Sequence, residues 1–141
     1  EQHLLRRSLA DGKEILGLES LDDQIGIFDS LSWADQEALL LQTLTDLEAP
    51  DTEITQLLEA WRDGSLEDLA AELSGDFDEF PELETALISA RNRRWAVTLE
   101  ELLRHPGRYL VVVGALHLVG ENNVVELLSA RGLDVSFVDR P

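Results

Sequence analysis

Residues 109–120 read YLVVVGALHLVG. Leu110, Val111, Val112 and Val113 follow one another with no polar residue between them, the pattern of a strand buried on both faces, as in a parallel sheet. Gly114 and Gly120 bracket the loop that comes next, with Gly114 offering the turn. His117 falls just beyond the carboxyl end of the apolar run, where open α/β folds bind ligands. An imidazole that titrates and can ligate a metal is thereby expected at the chemically active edge. The plainer alternative is a histidine that caps a helix or fills a polar gap.

The rest of the chain is read around that stretch. Residues 13–18, KEILGL, form a second short apolar run, closed by Glu19, and residues 133–138 form a third. Between them the pattern is helical. A short helix over 2–10 is stopped by Gly12, and residues 20–30 place Leu21, Gln24, Ile25 and Phe28 at helical spacing. Ser32 caps a helix running to about Glu48, and Pro50-Asp51 restarts one that Gly64 stops. Ser65 with Asp68 opens a short helix ending near Gly75, a turn covers 76–81, and the longest helix spans 82–104. Asn123 with Glu126 caps a last helix, closed by Gly132. The expectation is a single helix-rich α/β domain over 1–141. It has a small, mostly parallel sheet and a C-terminal β-α-β unit. Three strands make a thin sheet, so an incomplete domain is expected, lacking an N-terminal strand.

Composition narrows the partners. The chain has 29 acidic and 11 basic side chains, a net charge of −18, and residues 46–84 hold fourteen carboxylates against one base, Arg62. Nucleic acid and anionic bilayers are repelled by such a segment. There is no cysteine, which excludes a disulfide framework and a thiolate zinc site. No apolar run approaches the ~20 residues needed to cross a bilayer.

In the long helix, Ile88, Trp95, Leu99 and Leu102 form an inward stripe into which Arg91 and Asn92 also fall. A core-facing arginine and amide need partners, because unpaired buried charge is costly. They either anchor the fold or hold a catalytic carboxylate and stabilise developing negative charge. Arg93 and Arg94 read as solvent-face residues. Glu19 is the natural partner of Arg91. It ends one apolar run as His117 follows another, so two parallel strands would bring both side chains to one rim. Carboxylate, imidazole, guanidinium and amide together suit a hydrolytic or metal site.

These residues carry a resemblance. The stretches Arg91-Asn92-Arg93-Arg94-Trp95, Gly114 to Gly120 and Asn122 to Leu128, with Gly17-Leu18-Glu19-Ser20 upstream, resemble the TraB/GumN family. The likeness is strongest to its Tiki-type members, membrane-associated or secreted metal-dependent proteases. The resemblance implies an α/β fold related to erythromycin-esterase and ChaN-like proteins. It also implies a site built from two Gly-x-x-His motifs, a glutamate and an Arg/Asn pair. The second histidine motif falls on Gly114 and His117, the glutamate on Glu19, and the pair on Arg91 and Asn92. The first Gly-x-x-His is absent, and Ala90 stands where many members have glutamate. The implied chemistry is hydrolysis of a peptide or small-molecule substrate with a divalent ion, Mn²⁺ or Co²⁺ before Zn²⁺. His117 and Glu19 serve as ligand or base, and Arg91 and Asn92 as orienting groups. A non-enzymatic binding or regulatory module is the alternative. The resemblance points to the bacterial cell envelope or secretion. Alone, the chain is expected to hold metal weakly, hydrolyse little and pair with a second copy.

Overall fold

The computed structural model describes residues 2–47, 51–74, 77 and 80–138. Eight α-helices carry them: α1 Gln2–Ala10, α2 Leu21–Ser30, α3 Trp33–Asp46, α4 Asp51–Asp63, α5 Leu66–Ser74, α6 Pro81–Glu84, α7 Ala90–Leu103 and α8 Val124–Ala130. A π-helical turn, Thr85–Ser89, joins α6 to α7, and a 3₁₀ turn, Ala115–His117, carries the histidine. The ends Glu48, Pro50 and Gly75, and residues 76, 78 and 79 of the turn 76–81, lie outside the described residues.

The caps follow from the sequence. Ser20 begins α2 reciprocally: its hydroxyl accepts from Asp23 N at 3.1 Å, while its own N–H donates to the Asp23 carboxylate at 2.8 Å. Ser32 caps α3 and Asn123 caps α8, each side chain accepting the amide three residues on. The long helical run does not stay regular. Pro81 opens it, and one π turn interrupts it before α7.

Two small cores meet at the 3₁₀ turn. Ala60, Leu69 and Val119 form one, with Ala115 packed against it; Trp95, Leu99 and Val124 form the other, joined by Leu18 and Val113. Helices α4 and α5 pack together, α7 packs on α8, and the 3₁₀ turn sits against both α5 and the π turn.

The expected α/β fold is overturned. Among the described residues there is no strand: 13–18, 109–114 and 133–138 run without regular structure, so there is no parallel sheet and no β-α-β unit. A strand exists only through a ladder of hydrogen bonds to a neighbour. Apolar β-branched runs are compatible with such a ladder but do not create one. Here Leu18 and Val113 pack onto α7 instead, while Leu110 and Val112 remain exposed.

Candidate functional site

Helix α7 does the work that a sheet edge was expected to do. Arg91 and Trp95 lie four residues apart on one face, with Asn92 beside them, and each reaches a residue distant in sequence. Glu19, fixed by the cap that starts α2, is the first of these. Its side chain is only 4% exposed. Arg91 grips it as a fork, with Nε 3.1 and 3.2 Å from the two oxygens and Nη2 at 2.8 Å. Arg91 Nη1 also donates to the Leu87 carbonyl at 3.0 Å, inside the π turn. Arg94 adds a second cation to Glu19 at 3.2 Å, although its side chain is 56% exposed. Burial by itself would raise the Glu19 pKa, but the hydrogen bonds and charge of Arg91, helped by Arg94 and Trp95, hold it below its ordinary 4.5.

The second reach is from Asn92 to His117. Asn92 is fully buried, and its Nδ2 donates to the Asn122 carbonyl at 3.0 Å. That leaves Oδ1 facing His117 Nδ1 at 2.6 Å. An amide oxygen only accepts, so His117 carries its proton on Nδ1 and its lone pair on Nε2. His117 is buried, and burial, reinforced by the Arg91 charge and partly offset by Glu19, lowers its pKa from 6.5 to about 4. At neutral pH the ring is uncharged.

Trp95 joins the two pairs. Its ring lies 4.4 Å from the His117 ring, tilted by 49°, and the Arg91 guanidinium carbon stands 4.7 Å from its centre. Glu19, Arg91, Trp95, Gly114 and His117 all line one cleft of about 940 Å³, which extends between residues 13–18 and 109–113.

The four residues expected to converge do converge, as two bonded pairs. The glycines behave differently from expectation. Gly114 has φ −61°, and a Cβ there would meet only His117 Cδ2 at 3.8 Å, so the backbone does not need its freedom. The left-handed turns come later, at Gly120 (φ 71°) and Asn122 (φ 55°). Arg94 is exposed, as expected, and from the solvent face it also reaches Glu19. Trp95 was read only as core and Asn123 only as a helix cap, and Asn122 was given no role, although Trp95 stands one helical turn from Arg91. Asn123 Nδ2 donates to the Gly120 carbonyl at 2.7 Å and so closes the loop behind His117.

As a metal site the arrangement is short of donors. No group of three His, Cys, Asp or Glu side chains able to hold an ion occurs among the described residues. The Glu19 oxygens already accept from two guanidinium groups, so of the four converging side chains His117 Nε2 is left with a free lone pair of suitable chemistry.

The sequence profile of the TraB/PrgY/gumN family matches residues 1–136. The chain is 31% identical over 129 residues to the uncharacterized protein YbaP of Escherichia coli (strain K12), covering 91% of this chain and 47% of that protein. The YbaP of Shigella flexneri matches to the same extent. A metalloprotease TIKI homolog of Amphimedon queenslandica is 38% identical over 74 residues, 50% of this chain and 14% of that protein. The chain thus spans about half the length of the YbaP relatives. No solved structure matches.

Proposed function

Because the chain belongs to the TraB/PrgY/gumN family, we propose that it supplies the imidazole and guanidinium part of a hydrolytic site acting on a peptide or related bond. The observation that carries this reading is the bond from the buried Asn92 to His117, which lines the cleft together with Arg91. The metalloprotease name of the Amphimedon queenslandica relative supports the reaction class.

Each residue has a part. Asn92 fixes the His117 tautomer and leaves the Nε2 lone pair without a protein partner among the described residues. A neutral imidazole accepts a hydrogen bond from water or donates its lone pair to a metal. With a pKa of about 4 it is a weak proton acceptor at neutral pH, which favours orienting and ligating roles over that of a lone general base. Arg91, after its bonds to Glu19 and Leu87, keeps one N–H on each Nη with which to meet a carbonyl oxygen that gains negative charge. Glu19 and Arg94 hold Arg91 in place. A divalent ion, Mn²⁺ or Co²⁺ before Zn²⁺, would need more donors than the described residues bring together here.

A second reading, that of a non-enzymatic binding module, is favoured by one feature. The Glu19 carboxylate is wholly engaged and offers nothing to a substrate or an ion. Cleavage of an internally quenched peptide library, with and without Mn²⁺, Co²⁺ or Zn²⁺, separates the two. The hydrolytic reading expects weak cleavage that falls by about a hundredfold or more in His117→Ala. Cleavage equal in wild type and variant overturns it, and no cleavage under any condition selects the binding module.

A further inference from the structure

We propose that Trp95 is a positioning residue that fixes the plane of the His117 ring, and that it links this ring to the Glu19–Arg91 pair. The proposal rests on the reading of His117 as the working imidazole. A single hydrogen bond, Nδ1 to Asn92 Oδ1 at 2.6 Å, settles the tautomer. It does not fix the ring plane, because the imidazole can still swing about that contact. On the Gly114 side there is room, since even an added Cβ would stand 3.8 Å from His117 Cδ2. The second constraint is the indole, 4.4 Å away at 49° and held in the core with 5% exposure. The same indole carries the Arg91 guanidinium at 4.7 Å, so a shift of the Glu19–Arg91 pair moves the surface on which the imidazole leans.

A further observation sets this tryptophan apart from ordinary core filling. Its buried Nε1–H makes no hydrogen bond of ordinary geometry, yet it acts on the Glu19 carboxylate and helps to hold that group's pKa down, which phenylalanine at the same place could not do. Packing alone gives no reason for the indole. Contact with three of the site's side chains does.

The test compares Trp95→Phe, Trp95→Leu and Leu99→Ala in the full chain. Leu99 lies one turn on, in the same core cluster, without a ring contact to His117. Long-range ¹H–¹⁵N spectra of the His117 ring read its tautomer and averaging, and thermal melts report overall stability. Wild type and Trp95→Phe are expected to show a single Nδ1-protonated ring, with Trp95→Phe somewhat less stable because its side chain is smaller. In Trp95→Leu the unsupported ring is expected to swing off the Asn92 oxygen and so to average between tautomers, whereas Leu99→Ala, though destabilised, shows a single one. A Trp95→Leu spectrum identical to wild type, or equal averaging in Leu99→Ala, overturns the proposal. Should Trp95→Leu not fold, Trp95→Met makes the same comparison. The spectra do not depend on turnover, so an inactive chain with the expected ring pattern fails the hydrolytic reading and leaves this one standing.

Discussion

Asn92 is bonded at both ends of its amide, and replacing it separates its two jobs. Asn92→Leu keeps the volume roughly but strands the Asn122 carbonyl and the His117 Nδ1–H in a buried place. The expected cost is about 1–3 kcal/mol in urea unfolding, since buried polar groups left without partners lose their full desolvation free energy. Asn92→Asp keeps an acceptor for His117 but adds a negative charge beside it, so the His117 pKa should rise from about 4. An NMR titration in which it stays put would show that the side chain has turned away. The wild-type pH profile has a definite sign. His117 binds its proton at 6.5 when unfolded and at about 4 when folded, so the unfolded chain holds more protons between those values. Stability is therefore fully present above 6.5 and falls as pH drops toward 4. Glu19, with its folded pKa below the ordinary 4.5, adds its own loss only below that value. His117→Gln should flatten the upper window and leave the lower one. An unchanged upper slope would place the titration elsewhere.

At the scale of the element, the anchor of Glu19 is the start of α2. Ser20→Ala removes the hydroxyl that accepts from Asp23 N and should cost about 1 kcal/mol, measured by chemical unfolding. A loss under a few tenths would mean that the Arg91 fork alone fixes Glu19. Caps of this kind are local, so Ser32 and Asn123 were legible from their neighbours three residues on; the Ser20–Asp23 box carries the same signal and was read only as the start of a helical run. Arg91 and Asn92 were legible as core-facing polar residues for the same reason, since helical periodicity says which face they share. The exposure of Arg94 was legible too, but not its contact with Glu19, because a long side chain can reach a buried carboxylate from the solvent face. The π turn was not legible either, as nothing in TALIS marks an extra residue per turn. The three apolar runs show the other limit. Their composition suited strands, but pairing is a property of two segments, and a single run cannot reveal whether its partner exists. The convergence of His117 with Glu19 was foreseen through a sheet edge and is achieved through α7.

Over the whole molecule, charge and exposed apolar surface oppose each other. The net charge of −18 resists both compaction and association. The cleft is the exception, for Arg7, Lys13, Arg91 and Arg108 line it against Asp11, Glu14 and Glu19. Along its wall Leu110 is 74% exposed and Val112 47%, and 109–113 carry no backbone hydrogen bond to another described segment. Such a segment is a template for pairing with another chain once repulsion is screened. Screening is weak at 0.01 M salt, where the Debye length is about 30 Å, and strong at 1 M, where it is about 3 Å. Light scattering is therefore expected to report a monomer at the low salt concentration and a dimer at the high one. Amide exchange at 109–113 should be unprotected in the first case and slowed in the second. Leu110→Lys with Val112→Lys should keep the chain monomeric at both, because charge on this segment blocks pairing at any screening. Dimers that persist in the double variant, or protection that arises elsewhere with 109–113 still open, would mean that a different surface joins the copies.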